Sequence, residues 1–305
     1  MAEQVHEALM RALMLLKDYL PDIVISGGWV PYLYHRYVVA NPPAEPIRTH
    51  DLDLVVPEQL PPKGRRPLDR ILLEAGFTPT LASDASPPVC KYAYEKEGLE
   101  IEIEFLTKLK GSEEVVTKTV QKGLVAQALR YIEILRENTF PISIVDQLAD
   151  GTKVRLTVNL PKPAAYIFQK GLIFLKRKER AKKAKDLYYI YDLLDNYREF
   201  HEKMIIDFQT FKASYPSGWI KTFVKNLERY FQTPRSEGPI LVEEQYRGPM
   251  DREVFRRRVH TPTATPWAVG SAPVLSLPKE AGRASLPAGG PKPFFFLSKS
   301  LAHPQ

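Results

Sequence analysis

The stretch IRTHDLDLVV, residues 47–56, alternates aspartate with leucine and then continues into two valines. This period-two pattern predicts a β-strand in which Asp51 and Asp53 point to the same face, roughly 7 Å apart along the strand. Leu52 and Leu54 would point the other way, into a core. Two carboxylates held in this way can converge on one or two Mg²⁺ ions, which prefer hard oxygen ligands. The alternative is a solvated strand edge that carries two acidic residues.

A second acidic strand is predicted by residues 99–106, LEIEIEFL, which form the cleanest period-two pattern in the chain. Glu100, Glu102 and Glu104 share one face of this strand. Adjacent strands lie about 4.8 Å apart, so one of these glutamates, placed beside the first acidic strand, would complete a cluster of three carboxylates. The pattern alone leaves open whether Glu102 or Glu104 completes it. The alternative is a half-exposed strand with a polar side, and it applies to at least two of the three glutamates.

A glycine turn, Ser26-Gly27-Gly28, lies between a short apolar strand and an aromatic segment that begins with Trp29. Pro31 suits the first turn of a helix, where its missing N–H removes no hydrogen bond. The predicted order is therefore strand, glycine turn, helix. Exposed backbone N–H groups at such a turn, together with the helix N-terminus, can bind phosphate oxygens. The alternative is an ordinary turn that needs glycine only for its backbone angles.

The composition narrows the class of protein. The 305 residues are 44% hydrophobic, which indicates a globular chain, and no apolar run approaches the roughly 18 residues that span a bilayer. The N-terminal residues predict an amphipathic helix and no signal peptide. Cys90 is the single cysteine, so we expect no intrachain disulfide, a cytoplasmic location and no membrane partner. The net charge of +7 favours a polyanionic partner such as a nucleotide or RNA.

The rest of the chain contains several predicted helices and one stretch of different composition. The helices are expected over residues 3–19, 68–75, 163–175, 185–197, 200–213 and 219–231, with a basic turn before residue 185. Residues 111–160 show no clear period, although residues 124–136 fit either a helix or a strand pair and residues 154–160 predict a strand. From about Thr233 the composition shifts to proline, arginine, serine and alanine, which predicts a low-complexity tail, disordered from residue 261. The six histidines form no metal-ligand motif, and the chain has no P-loop and no Gly-x-Ser-x-Gly.

Three of these motifs together resemble the signature of the polymerase-β-like nucleotidyltransferase superfamily. They are the Ser26-Gly27-Gly28 turn, the segment RTHDLD at residues 48–53, and Glu104-Phe105-Leu106-Thr107 with Gly111 beyond it. They look most like the GSLF-type bacterial enzymes and their relatives among abortive-infection toxins. The resemblance implies that the glycine turn receives a triphosphate. It also implies that Asp51, Asp53 and Glu104, in preference to Glu102, hold Mg²⁺ or Mn²⁺.

The resemblance continues beyond the two acidic strands. The segment LPKPAAYIFQK at residues 160–170, then Arg177, and KKAKDLY at residues 182–188 are similar to the helical part of those enzymes. There a lysine is thought to contact the nucleotide, and a lysine–aspartate pair near the second helix supports the site. The nucleotide-binding residues that the resemblance implies are Ser26, Gly27, Gly28, Arg48, Thr49, Lys170, Lys185 and Asp186. The alternative for Lys170 is a lysine on a solvated helix surface.

The resemblance also implies a fold and an activity. We expect an α+β chain with a small mixed-sheet nucleotidyltransferase domain over residues 1–110, a mainly helical domain over 111–232 that completes the cleft, and a disordered tail over 233–305. The expected reaction is a metal-dependent transfer of a nucleoside monophosphate from a nucleoside triphosphate to an acceptor. RNA, particularly a tRNA end, a protein hydroxyl and a small molecule all remain open as acceptors, and a cognate antitoxin is a further expected partner. The alternative is an inactive nucleotide-binding or interaction protein of the same fold.

Overall fold

A nine-stranded mixed sheet is formed by the described residues of a computed structural model, which are 2–39, 47, 49–64, 66–81, 88–96, 98–111, 113–114, 116–197 and 200–264. The strands are β1 (Val24–Ser26), β2 (Asp51–Val55), β3 (Thr78–Leu81), β4 (Cys90–Lys96), β5 (Leu99–Lys108), β6 (Thr117–Gln121), β7 (Leu124–Leu129), β8 (Thr139–Gln147) and β9 (Lys153–Pro161). Their order is β3-β4-β5-β2-β1-β9-β8, and the β6–β7 hairpin joins through β7, which pairs with the last residues of β5.

The two acidic strands are neighbours in the middle of this sheet, as predicted. β2 pairs with β5 in parallel, and β1 pairs with β2 in the antiparallel direction. The apolar residues that alternate with the acids, such as Leu52 and Ile103, are buried. Because the side-chain period of a strand is two, burying the leucines on one face fixes the acids on the other.

Ten helices are described, and one of them lies at the centre of the helical part. They are α1 (Ala2–Leu15), α2 (Trp29–Tyr37), α3 (Leu68–Glu74), α4 (Glu133–Glu137), α5 (Pro163–Ile173), α6 (Arg180–Asn196), α7 (His201–Ser214), α8 (Ser217–Tyr230), α9 (Glu237–Gln245) and α10 (Arg252–Ala264). Every residue of α5 from Pro163 to Leu172 is buried, and this helix packs against α6, α7 and α8. A helix that is buried on all sides needs other elements around it, and its polar residues need partners within the chain.

The structure confirms the α+β class that the sequence predicted, and it adds strands between the two expected parts. β6, β7, β8 and β9 lie within residues 117–161 and join the same sheet as the two acidic strands. β9 confirms the strand predicted over residues 154–160. Otherwise we expected a mainly helical region from residue 111, with residues 124–136 open between a helix and a strand pair. Leu124, Ala126 and Ala128 do alternate with more exposed residues. Alanine contributes little to a hydrophobic pattern, so the period was not evident. The boundaries of the predicted domains stay a prediction.

The region after residue 232 also differs from its prediction. α9 and α10 lie within the expected tail, where Leu241, Val242, Phe255 and Val259 are buried. Both helices pack against α6. These few apolar residues do not stand out in the composition, because many charged residues and prolines surround them in the sequence. The compact unit that contains the sheet and these helices spans residues 1–269, and residues 265–305 lie outside the described part of the chain.

Two smaller points complete the comparison. The expected basic turn is shorter than predicted, because α6 already begins at Arg180 and includes Lys182 and Lys183 in its first turns. Within the described residues, no helix combines the length and the apolar character that a bilayer crossing requires.

Candidate active site

Carboxylates from β2 and β5 are paired side by side at the centre of the sheet. Asp53 is the register partner of Glu104, and Asp51 is the register partner of Glu102. The side chains of Asp53 and Glu104 are partly buried, whereas Asp51 is exposed at the start of its strand. Neighbouring strands are about 4.8 Å apart, so the Asp53 and Glu104 side chains begin within that distance of each other.

The electrostatic state of this pair follows from its burial. Burial raises the pKa of Asp53 to about 6; the nearby Asp51 adds to this shift, and Lys170, Lys91 and Arg177 oppose it. Burial, followed by the charge of Asp53, raises the pKa of Glu104 to about 7, and Lys91 opposes this shift. Carboxylates with raised pKa values favour either a proton or a closely bound cation. The site is therefore suited to a positively charged group.

Lys91 on β4 is a site residue that we did not predict. Its ammonium group lies 2.5 Å from Glu102 Oε1 and 3.7 Å from Glu104 Oε2. Lys91 is also the register partner of Glu104 across the β4–β5 pair, opposite Asp53 on β2. The segment that contains Lys91 had no distinct sequence pattern. An alternation of Tyr92 and Tyr94 was the one available signal for a strand there.

The glycine turn lies directly against the carboxylate of Asp53. Ser26 is the register partner of Asp53, and its hydroxyl donates to the Asp53 carbonyl oxygen over 3.3 Å. Gly27 has φ +65°, and a β-carbon at this position would collide with the Asp53 carboxylate. Gly28 precedes the first residue of α2, where the backbone N–H groups have no partner within the helix. The turn and the acids therefore form one site.

The structure describes only one of the two residues predicted just before the acidic strand. Thr49 is buried, and its hydroxyl oxygen accepts the backbone N–H of Asp51 over 3.3 Å. Thr49 also lies next to Gly28, because a β-carbon on that glycine would meet the threonine side chain. Arg48 lies outside the described residues, so its predicted role is not addressed by the structure.

Lys170, Lys185 and Asp186 come together on the two helices that face the acids. Lys170 is 6% exposed, and its ammonium group donates to Asp186 Oδ1 over 2.7 Å. Arg177 Nε donates to the other oxygen of Asp186 over 2.8 Å. Lys170 is therefore a buried partner of Asp186 and not a lysine on a solvated surface.

Lys185 has a different environment from Lys170. Burial lowers the pKa of Lys185, while the charges of Asp51 and Asp53 favour its protonated form. Among the salt bridges of the described residues, none involves Lys185, although its ammonium group lies 5.8 Å from the centre of the Tyr189 ring. A lysine in this position is available to an anion bound next to the acids.

The three predicted metal ligands form a donor set that suits a divalent cation. Asp51, Asp53 and Glu104 offer only carboxylate oxygens, which Mg²⁺ and Mn²⁺ prefer. The raised pKa values of Asp53 and Glu104 show that the charge of these two acids is incompletely compensated. In the part of the chain that is described, no three Asp, Glu, His or Cys side chains are already close enough to hold a metal. Asp51, which is exposed, is the third acid of the predicted set.

An open cavity of about 570 Å³ lies at the other end of the acidic strands. It is lined by Val55, Val56 and Thr107, and by charged residues that include Glu58. Three lysines converge on the Glu58 carboxylate, namely Lys108, Lys110 and Lys118. The charge of Glu58 is therefore compensated within the chain, and we assign no chemistry to this cavity.

The site has the features of a transferase that handles phosphate groups. These features are carboxylates on parallel neighbouring strands, a glycine turn next to them, and lysines on an adjoining helix pair. The comparison with protein families makes this class specific. Residues 4–210, more than half of the chain, match the family model described as Nucleotidyltransferase. The chain therefore belongs to this nucleotidyltransferase family, and nucleoside triphosphates are its substrate class. No curated protein and no solved structure matches the chain.

Proposed function

We propose that the chain transfers a nucleoside monophosphate from a nucleoside triphosphate to an acceptor in a reaction that depends on a divalent metal. The observation that carries this proposal is the register pair of Asp53 and Glu104 against the Gly27 turn. It joins two carboxylates with raised pKa values to a turn suited to phosphate. An alternative function without turnover gains no support from these residues, because all three acids are present.

Each group in the site has a place in this reaction. Asp51, Asp53 and Glu104 would hold Mg²⁺ or Mn²⁺, which when bound stabilises charge on the attacking and leaving oxygens. The backbone N–H groups at Gly28 and the start of α2 bind phosphate oxygens. Lys185 offsets negative charge on the triphosphate, and Asp186 keeps Lys170 and Arg177 in place beside it.

The transfer itself is an in-line displacement. An acceptor oxygen forms a bond to the α-phosphorus, while the bond from that phosphorus to the oxygen bridging to the β-phosphorus breaks. The acceptor loses a proton and pyrophosphate leaves with the electron pair of the broken bond. Positive groups placed where the pyrophosphate charge develops lower the barrier of this step.

The resemblance to GSLF-type enzymes and to abortive-infection toxins suggests the finer class. We assign the chain to that subtype within this proposal, with RNA, particularly a tRNA end, a protein hydroxyl or a small molecule as the acceptor. A toxin of this kind would also have a cognate antitoxin as a partner. These assignments rest on the matching motifs in residues 26–28, 48–53 and 160–188.

The test is to incubate the full chain with each of the four α-³²P-labelled nucleoside triphosphates and MgCl₂, and to offer total RNA, total protein and a small-molecule cell extract as acceptors. We expect label from one or more nucleotides to become attached to one acceptor class, with release of pyrophosphate. EDTA and the Asp53→Asn variant serve as controls and should abolish the labelling. Binding of nucleotide without labelling of RNA, protein or small molecules would contradict the proposal.

A further inference from the structure

Tyr189 on α6 has a buried hydroxyl group without a partner in the described residues. The residue is 2% exposed, and its hydroxyl oxygen makes no hydrogen bond there. A buried polar group without a partner lowers stability, because it has lost its hydrogen bonds to water. Phenylalanine would fill the same space without this cost. Packing alone therefore does not account for the hydroxyl at this position.

The Tyr189 hydroxyl lies directly over the glycine turn. A β-carbon on Gly28 would be only 2.6 Å from the hydroxyl oxygen, and the Thr49 side chain lies on the same side of that glycine. Gly28 precedes α2, where backbone N–H groups are suited to a bound phosphate. A phosphate oxygen bound over this turn would come within hydrogen-bond reach of the hydroxyl.

Lysines and carboxylates both lie near Tyr189. The ammonium groups of Lys170 and Lys185 each lie 5.8 Å from the centre of its ring. Burial raises the pKa of Tyr189 well above its ordinary value, and the charges of four carboxylates raise it too, namely Asp186, Asp53, Asp192 and Asp51. The hydroxyl therefore keeps its proton near neutral pH and can donate to a phosphate oxygen, whose negative charge the two lysines would offset.

A second tyrosine fixes the turn from the neighbouring helix. Tyr166 on α5 donates its hydroxyl to the Gly27 carbonyl oxygen over 2.8 Å. Its ring contacts that of Tyr189, with 6.2 Å between the ring centres. This bond holds the peptide of Gly27 while the next residue, Gly28, lies under Tyr189. Tyr166 is therefore a positioning residue for the turn.

We propose that the Tyr189 hydroxyl, together with Lys185 and the backbone of the glycine turn, forms a subsite for the triphosphate of the nucleotide. This inference rests on the proposed function, because it assigns a residue to the binding of the same substrate. The hydroxyl donates to a phosphate oxygen, and it makes no contact with the base. The subsite consequently does not discriminate between nucleotides.

The test compares Tyr189→Phe with Tyr191→Phe on the same helix. Tyr191 is also buried, but its hydroxyl donates to Asp195 over 3.0 Å. Calorimetric titration of the full chain with inorganic triphosphate and MgCl₂ gives the affinity without a base or sugar, and thermal unfolding gives the stability. We expect Tyr189→Phe to weaken triphosphate binding by about 10- to 100-fold, the effect of one hydrogen bond to a charged group, at an unchanged or higher Tm. Tyr191→Phe should lower the Tm and leave the affinity unchanged.

The outcomes separate this inference from the proposed function. Wild-type affinity in Tyr189→Phe would overturn the inference, and so would a variant that loses affinity for nucleoside triphosphates but not for inorganic triphosphate. A wild-type chain that binds no nucleoside triphosphate would overturn both the inference and the proposed function. A wild-type chain that binds triphosphate through Tyr189 but transfers no nucleotide would overturn the proposed function alone.

Discussion

At the scale of single residues, Asp53 links several groups of the candidate site. It pairs with Glu104, lies against Gly27 and is influenced by Lys170. We predict that Asp53→Asn abolishes nucleotide transfer and leaves the Tm unchanged or higher at pH 7. Asparagine keeps the size of the side chain, but it removes a buried charge and a metal ligand. Activity assays and thermal unfolding of the same preparation check this, and a variant with a clearly lower Tm would indicate a structural role instead.

The same pair of acids predicts a dependence of stability on pH. The pKa values of Asp53 and Glu104 rise on folding from 3.8 and 4.5 to about 6 and about 7. Between the pKa values of the unfolded and the folded chain, the folded chain binds more protons than the unfolded chain. The contribution of the two acids to the free energy of unfolding therefore falls as pH rises from about 4 to about 7. In Asp53→Asn this fall should be smaller, because one of the two groups no longer titrates. An equally steep profile in metal-free buffer would contradict the assignment.

The acids could be predicted from the sequence because a period of two and a strong polar–apolar contrast are visible in one dimension. Lys91 could not be predicted, because it reaches the site only through the pairing of β4 with β5. Arg177 lies in the segment that resembles the family, but its bond to Asp186 depends on the turn between α5 and α6. Such positions are set by tertiary pairing, which the local pattern of lysines and arginines does not specify.

At the scale of elements, the glycine turn offers a comparison between backbone strain and packing. Gly27 and Gly64 both have positive φ, +65° and +76°, but a β-carbon on Gly64 would meet nothing within 4 Å. Alanine at either position costs about 1–2 kcal/mol for the left-handed backbone. Gly27→Ala must also displace the Asp53 carboxylate, so we predict a larger loss of stability and a loss of activity.

Gly64→Ala is the matched control. Its free energy of unfolding should fall only by the cost of the left-handed backbone, and it should keep full activity. Thermal unfolding and the labelling assay measure both variants. If the two variants lost the same stability and both stayed active, Gly27 would be present only for its backbone angles. That outcome would favour the ordinary turn over a turn shaped by the site.

The helix pair α5 and α6 gives a third prediction. Removing Lys170 leaves the buried Asp186 with Arg177 alone, and breaking a buried ion pair costs about 3–5 kcal/mol when one partner is removed. We expect Lys170→Ala to lose stability near the lower end of this range, because Arg177 remains, and to bind nucleotide about tenfold more weakly. Lys178→Ala, at an exposed position, should change neither quantity.

Calorimetry with the preferred nucleoside triphosphate and thermal unfolding check both lysine variants. Equal losses of affinity in Lys170→Ala and Lys178→Ala would indicate a diffuse electrostatic attraction. Lower stability in Lys170→Ala at wild-type affinity would show that the lysine supports the helix pair without affecting the nucleotide. Lys185 then remains the lysine that faces the triphosphate from α6.

At the scale of the whole molecule, the helical and sheet parts share one hydrophobic core. This core contains residues from the central strands, from α5 and from α10, such as Leu54, Phe168 and Phe255. Local patterns predicted most of the helices before residue 232, since their apolar residues recur at clear intervals. They did not predict which elements share a core. Strands β6 and β8 and the helices after residue 232 were therefore the largest gaps in the prediction.

The last prediction concerns α9 and α10, the helices after residue 232, and tests whether they are part of the fold or a separate tail. Phe255 on α10 contacts the Tyr191 ring on α6, with 5.3 Å between the ring centres, and Arg258 Nη2 donates to Asp195 over 2.6 Å. Burying one large apolar side chain contributes about 1.5–3 kcal/mol.

A chain of residues 1–232 loses several such side chains and exposes the face of α6 opposite the triphosphate subsite. We therefore predict a clearly lower Tm for residues 1–232 than for residues 1–269, measured side by side with the full chain. Residues 1–269 should match the full chain, because they contain the whole compact unit. Equal Tm values for all three chains would show that α9 and α10 contribute nothing to the stability of the sheet and its helices.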